Sequence, residues 1–124
     1  MKYRLVQKTN PRDPEAANKF YANKVTRSKV ELRKLSKDIA EMSTVSIVDI
    51  MAVIESMLQL IPRYVIEGDI VTLGDFGSFN LNISSHGSDT EEDFDRSLIN
   101  GVKLSFRPGL EMKNALNAVT YEKE

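Results

Sequence analysis

The order of apolar and polar positions predicts a β-hairpin at the start of the chain. β-forming residues run over 3–8 and again over 20–25, and turn-forming residues with two prolines lie between them at 10–14. Two such runs joined by turn chemistry are typical of a hairpin. The hairpin precedes the segments that predict the main domain.

A first helix is predicted over about residues 28–43. Ser28 and Glu31 have the spacing of a capping box, which satisfies free N–H groups at a helix start. Apolar residues follow at intervals of three and four, which places them on one helical face. These residues are Leu32, Leu35, Ile39 and Met42.

The second helix is the clearest local prediction. Ser46 is its expected N-cap, Asp49 lies in its first turn, and Gly68 is its expected C-terminal stop. Pro62 is expected to kink it. Its apolar residues extend most of the way round the helix, so a chain of this size needs a second subunit to cover them. The predicted dimer-core residues on this helix are Ile50, Ile54, Met57, Leu58 and Ile61.

The C-terminal half predicts a three-stranded sheet and a final helix. β-rich runs over 69–73, 79–83 and 102–106 predict the strands. Residues 88–92 have the composition of a short helix start, and Pro108 occupies a favoured first helical position. The fold class is therefore α+β: a hairpin, two helices, a three-stranded antiparallel sheet and a C-terminal helix. Strand-face spacing assigns Phe76, Phe79 and Phe106 to the core.

Length and composition predict one soluble intracellular domain. The chain has 124 residues, of which 41% are hydrophobic and 28% charged, as in ordinary globular domains. No apolar run approaches the roughly 20 residues that span a bilayer, and no apolar signal-peptide core follows the N-terminus. We expect a cytoplasmic protein with no membrane partner.

The residue inventory disfavours catalysis. The chain has no Cys and a single His, His86, so a thiol nucleophile, a disulfide and a transition-metal site are not expected. We interpret His86 as a solvated loop residue. Carboxylates alternate from Asp89 to Asp95, but Phe94 replaces the glycine of a calcium loop, and we interpret them as exposed. We therefore expect no enzyme activity, no cofactor, no metal and no small-molecule substrate.

Charge is distributed unevenly along the chain. Residues 1–37 carry eleven Lys/Arg and three Asp/Glu, whereas residues 38–106 carry three Lys/Arg and twelve Asp/Glu. A basic segment of this kind is typical of proteins that bind a polyanion or an acidic partner. Neutralisation of one half of the chain by the other is the alternative, and charge pattern alone leaves both open.

Three segments together resemble the bacterial HU/IHF histone-like family. Residues 76–79 (Phe-Gly-Ser-Phe), which follow a predicted strand, are similar to that family's Gly-Phe-Gly-[Ser/Thr]-Phe turn. Residues 106–109 (Phe-Arg-Pro-Gly), with Lys113 following, resemble its C-terminal segment, and residues 39–49 resemble the junction of its first two helices. The first 29 residues further resemble an HU-like branch with an N-terminal hairpin.

The resemblance implies an intertwined homodimer that binds double-stranded DNA with little sequence specificity, as a nucleoid-associated architectural protein. It divides the chain into a basic hairpin extension, 1–29, and an HU-like DNA-binding and dimerisation domain, 30–124, with an arm at about 82–103. In the family, a Pro at each arm tip wedges between base pairs. Residues 80–105 contain no Pro and carry a net charge of −3, which disfavours such wrapping here.

Phosphate contacts are therefore expected from the body and the basic N-terminal segment. The expected DNA-binding residues are Arg107, Gly109, Lys113, Lys103, Gly77, Ser78, Arg27, Lys29, Arg33 and Lys34. The alternative hypothesis is an HU-fold dimer that has lost DNA wrapping and acts as a structural or protein-interaction module through its acidic arm.

Overall fold

Two small sheets and three helices make up the computed structural model, which describes residues 1–124. The α+β class predicted from the sequence is confirmed. The elements in chain order are β1 (Lys2–Lys8), β2 (Lys19–Lys24), α1 (Leu32–Glu41), α2 (Ile47–Ile66), β3 (Val71–Thr72), β4 (Gly77–Ser85), β5 (Ile99–Pro108), α3 (Leu110–Asn117) and β6 (Glu122–Lys123).

Both ends of the chain meet in the first sheet, whose strand order is β2-β1-β6. The predicted hairpin is present: β1 and β2 pair antiparallel from Tyr3 opposite Lys24 to Lys8 opposite Lys19. The short strand β6 adds in parallel to β1, with Glu122 beside Lys2. This last pairing was not predicted, because two charged residues at the end of the chain carry no strand pattern. It ties the C-terminus to the N-terminal hairpin.

The two faces of this sheet differ in chemistry. Successive side chains of a strand point to opposite faces, so Tyr3 and Leu5 share one face with Ala22. Together with Met1 and Tyr121 they line an apolar concavity. The residues of the opposite face are Lys2, Arg4, Val6, Lys8, Lys19, Tyr21 and Asn23, as the strand register dictates.

Helix α1 starts later than predicted, at Leu32. Its N-cap is Glu31, in extended conformation and with no side-chain capping bond, so the predicted Ser28–Glu31 capping box is wrong. Glu31 instead pairs with Lys29, at 3.6 Å between Nζ and Oε1. Residues 28–31 include one large apolar side chain, Val30, and it is exposed. A longer helix would therefore gain no packing.

Helix α2 begins and ends as predicted. The Ser46 hydroxyl accepts a hydrogen bond from the Asp49 N–H at 3.2 Å, and Gly68 has φ +97° just beyond the helix end. Glycine takes this left-handed conformation without a Cβ penalty, so it terminates the helix. The helix runs through Pro62 without interruption.

The second sheet has the order β3-β4-β5 and is antiparallel. Its long β4–β5 pair aligns Phe79 with Phe106, Leu81 with Leu104, and Ile83 with Val102. These residues share one face, as the alternation predicted. Strand β3 is shorter than predicted. It begins only at Val71, because the Asp69 N–H still donates to the Tyr64 carbonyl at the end of α2, and residues 74–76 form a single 3-10 turn after it.

Two predictions at the ends of this sheet are wrong. Residues 88–92 form an irregular, bent segment and no helix. Pro108 does not open α3: it ends β5 opposite Gly77, and Gly109 is the N-cap of α3. Continued strand pairing holds Pro108 in the sheet, and the Gly109 N–H then donates to the Phe76 carbonyl at 2.9 Å.

Very little of the single chain is buried. Among apolar side chains only Ile50 and Val65 are buried. The chain exposes 10849 Å², whereas a folded monomer of 14.0 kDa exposes about 6,700 Å². The excess is about 4,100 Å² by the same relation, and much of it is apolar. None of the three helices combines the length and the hydrophobicity that a membrane-spanning segment requires.

Candidate nucleic-acid interface

Gly77 anchors the turn that supports the candidate interface. It is buried with φ +152°, and a Cβ there would lie 2.5 Å from Cζ of Phe106 and 2.6 Å from the Arg107 carbonyl oxygen. Phe106 in turn packs against Phe76 and Phe79, with ring centroids 5.4 and 5.1 Å apart. Only glycine allows this approach. Gly77 is buried in the single chain, so its predicted phosphate contact stays a prediction and its evident role is to hold the turn.

The N-terminus of α3 is held against the same turn. Gly109 donates its N–H to Phe76, and a Cβ on Gly109 would collide with the Asp75 carbonyl. Gly109 has no side chain to cap the helix, and the first intrahelical bond is from the Lys113 N–H to the Gly109 carbonyl at 2.9 Å. The N–H groups of residues 110–112 therefore have no acceptor within the helix and no side-chain cap.

These free N–H groups form a potential anion site. A helix N-terminus combines unsatisfied donors with the positive end of the helix dipole. Lys113 is exposed one turn into the helix, and Arg107 is exposed two residues before its N-cap. Glu111 lies in the first turn as well, so a phosphate must approach beside its carboxylate.

The polar face of the second sheet adds two more cations. Arg107 is opposite Ser78 and Lys103 is opposite Asn82. All four lie on the face away from the Phe79–Phe106 pair, because they alternate with it along the strands. Arg107 and Lys103 are exposed and neither forms an ion pair. They are four residue steps apart along β5, which is about 13 Å, so each is free to bind a different phosphate.

The cations before and within α1 are partly neutralised. Lys29 pairs with Glu31, and Lys34 donates to Asp38 at 2.5 Å. The Asp38 carboxylate raises the pKa of Lys34 above its ordinary value, through its hydrogen bond and its charge. Arg27 and Arg33 have no carboxylate partner. Of the four predicted N-terminal contacts, these two arginines are therefore the ones that are not already paired and can bind a ligand.

Lys37 joins this basic group although it was not among the predicted contacts. It lines one shallow groove on α1 with the residues just described: Lys29, Glu31, Arg33 and Lys34. Its spacing of three and four residues from Lys34 and Arg33 is the signal that would have placed it on the same helical face.

The acidic arm tip offers no phosphate site. Its carboxylates lie between Asp89 and Asp95, all exposed and none in an ion pair with a cation. Two groups of Ser97 lower the pKa of Asp95. The larger effect comes from the Ser97 hydroxyl, and the smaller from the Ser97 N–H, which donates to the Asp95 carboxylate at 2.8 Å. No group of three or more His, Cys, Asp or Glu residues is arranged to hold a metal ion.

The predicted dimer-core residues differ in burial within one chain. Ile50 is buried. Ile54, Ile61 and Phe79 are half-buried, while four others are exposed: Met57, Leu58, Phe76 and Phe106. Leu58, Ile61 and Phe79 line an open apolar groove between α2 and the second sheet.

A second apolar stripe on α2 faces solvent. Its members follow the helical spacing i, i+4, i+7, i+11, and their exposure ranges from 38% for Met57 to 68% for Val53. The stripe consists of Val53, Met57, Leu60 and Tyr64. Only Met57 was among the predicted dimer-core residues. The helical spacing of Val53, Leu60 and Tyr64 in the sequence was the signal that could have identified them.

Comparison with known proteins identifies a family model that covers nearly the whole chain. The model HU-HIG, described as an HU domain fused to wHTH, Ig, or a glycine-rich motif, matches residues 1–123. Comparison with curated proteins gives no match.

A solved structure shares the fold. It is the crystal structure of a protein from Bacteroides vulgatus ATCC 8482 that is described as a candidate bacterial DNA-binding protein. The TM-score is 0.63 at 15% sequence identity. The alignment covers 98% of this chain and 47% of the other, so this chain spans about half the length of that protein.

Proposed function

The chain belongs to the HU-HIG family, and from this premise we propose that it binds duplex DNA as a homodimer with little sequence specificity. The proposed role is architectural and nucleoid-associated, and it involves no catalytic step. The Bacteroides protein of the same fold is itself described as a candidate DNA-binding protein, which supports the proposal. We further propose the division into 1–29 and 30–124, with residues 82–103 as the arm.

The free N-terminus of α3 is the observation that carries the DNA proposal. Three N–H groups at residues 110–112 have no acceptor within the helix and no side-chain cap. With Arg107 and Lys113 nearby, they suit a phosphate oxygen. Lys103 and Ser78 extend this surface along the polar face of the second sheet. Contacts of this kind bind the backbone and carry no base information, so we expect little sequence preference.

Uncovered apolar surface supports the homodimer. The excess of about 4,100 Å² per chain over a folded monomer amounts to about 8,200 Å² for two chains, at the upper end of obligate dimer interfaces, which are large and hydrophobic. The outward stripe Val53–Tyr64 and the groove at Leu58 are the surfaces that a second copy would cover. A dimer also doubles the number of phosphate contacts per DNA duplex.

The test is the fluorescence anisotropy of a labelled 30-bp duplex, titrated with protein at several salt concentrations. Each phosphate contact contributes about 0.9 to the slope of log affinity against log salt. We expect the double variant Arg107→Gln/Lys113→Gln to lose about 1.8 of that slope per bound protomer. The matched control Arg12→Gln/Lys24→Gln removes the same charge elsewhere and should keep the slope. Absence of wild-type binding at low salt contradicts the proposal.

A second candidate function is favoured by one observation. The five arm carboxylates are exposed and have no cation partner, as in a surface that docks on a basic protein. In that case the dimer would associate through its acidic arm. Salt-sensitive self-association without DNA binding would support this function and contradict the first.

A further inference from the structure

The basic face of the N-terminal sheet is a second charged surface, separate from α3 and the second sheet. Lys2, Arg4 and Lys8 lie on this face of β1, and Lys19 joins them from β2. None of the four was among the contacts predicted from the sequence. We call them the hairpin cation row. All four are exposed, and none forms an ion pair.

Two of these lysines repel each other in the free protein. Lys8 and Lys19 are direct cross-strand partners at the end of the hairpin ladder, and like charges in such a pair are destabilising. The Lys8 Nζ lies 5.7 Å from the centroid of the Tyr21 ring on the same face. This contact holds the ammonium over the sheet. An anion between the two lysines would remove their repulsion.

The row is linear, and its length suits a linear polyanion. Lys2 and Lys8 are six residue steps apart along β1, which is about 20 Å. Each strand of B-DNA carries one phosphate per roughly 3.4 Å along the helix axis, so the row runs alongside about six base pairs. The only carboxylate placed on this face by the register is Glu122, beside Lys2.

We propose that the hairpin cation row is a second phosphate-binding surface for duplex DNA. The inference rests on the proposed DNA-binding function. In it, the cations of the hairpin replace part of the positive charge that the acidic arm lacks. The alternative ligand is the acidic arm of another copy. Its carboxylates are confined to the turn at residues 89–95, and Asp95 already accepts a bond from Ser97. A long duplex matches all four cations, whereas this short turn matches a part of the row.

The test compares two triple variants of the full chain in the anisotropy assay. Arg4→Gln/Lys8→Gln/Lys19→Gln removes three cations of the row. Arg12→Gln/Lys24→Gln/Lys123→Gln removes one arginine and two lysines from the loop and the opposite face, and so has the same net charge. The circular dichroism spectrum and unfolding midpoint of each variant verify that it folds. The conservative variant Lys8→Arg/Lys19→Arg should bind as the wild type does.

We expect the row variant to lose about 2.7 of the salt slope per engaged hairpin. The affinity of the wild type should accordingly fall about 40-fold more than that of the row variant between 50 and 200 mM salt. The control variant should keep the wild-type slope. Equal losses in both triple variants would overturn the inference, because net charge alone would then explain the effect.

Failure of this inference is distinguishable from failure of the proposed function. If the row variant binds as the wild type does while Arg107→Gln/Lys113→Gln loses slope, the row is not a DNA surface and the proposed function stands. If the wild type does not bind DNA but self-associates, and the row variant abolishes that association, the row binds the acidic arm. That last result overturns both proposals.

Discussion

Replacing Val53 by alanine should change the free energy of unfolding in opposite directions for a dimeric and for a monomeric protein. Val53 is 68% exposed in the single chain, so a monomer loses almost no buried area when it is shortened. Alanine is also the better helix former by about 0.5 kcal/mol. A monomeric protein should therefore keep or slightly gain stability.

In a homodimer that covers the outward stripe of α2, the same change removes buried groups. Two methylene equivalents contribute about 1.6 kcal/mol per copy, and a residual cavity adds to the loss. After the gain in helix propensity, the net loss is about 1 kcal/mol per copy, or at least about 2 kcal/mol per dimer. The matched control is Val48→Ala on the same helix, where Val48 is 76% exposed and lies away from the stripe. It should be neutral within about 0.5 kcal/mol.

The assay is urea unfolding followed by circular dichroism, over about a hundred-fold range of protein concentration. Unfolding of a dimer to separate chains becomes more costly with concentration, by about 2.7 kcal/mol per dimer over this range. We expect that shift in the wild type and a lower midpoint in Val53→Ala alone. A midpoint independent of concentration, with equal behaviour of the two variants, would refute the reasoning.

Three further predictions concern the turn, the helix cap and the arm. Gly77→Ala should lower the free energy of unfolding by about 2–5 kcal/mol, because of strain and collision with Phe106. The control Gly74→Ala, with φ +55° and open space around the new Cβ, should lower it by about 1 kcal/mol. Equal losses in urea unfolding would contradict the close approach at Gly77. Ser46→Ala should cost about 1 kcal/mol by loss of the N-cap bond, and Ser56→Ala, which is exposed within α2, should stay within about 0.5 kcal/mol. The lowered pKa of Asp95 means that its turn is stabilised above the ordinary pKa of 3.8 and loses this contribution as pH falls through the lower folded-state value. Because Ser97→Ala removes the hydroxyl and keeps the backbone N–H, it should raise the Asp95 pKa part of the way back in an NMR titration. An unchanged pKa would exclude the contribution of the Ser97 hydroxyl.

Local signals in the sequence were enough to predict α2 and the two hairpin strands. The Ser46 cap and the Gly68 stop act within a few residues of the helix ends, so tertiary contacts need not be known to identify them. The alternation of Phe79, Leu81 and Ile83 likewise identified the inner face of β4. The three family-like segments then placed these elements in one fold.

Pairings between distant residues explain what sequence reasoning missed. Pro108 is a favoured first residue of a helix, but its pairing with Gly77 keeps it in β5. Glu122 and Lys123 form a strand only because β1 offers an edge. The hairpin cation row depends on a register that brings Lys8 opposite Lys19 across a ten-residue loop, and loop composition does not specify that register.

Native mass spectrometry of the wild-type chain, alone and mixed with a 30-bp duplex at low salt, tests the central claim most directly. The account predicts a dimer of twice the 14.0 kDa chain mass and a complex of two chains with one duplex. A 14.0 kDa monomer that leaves the duplex free would contradict both the dimer and its DNA binding.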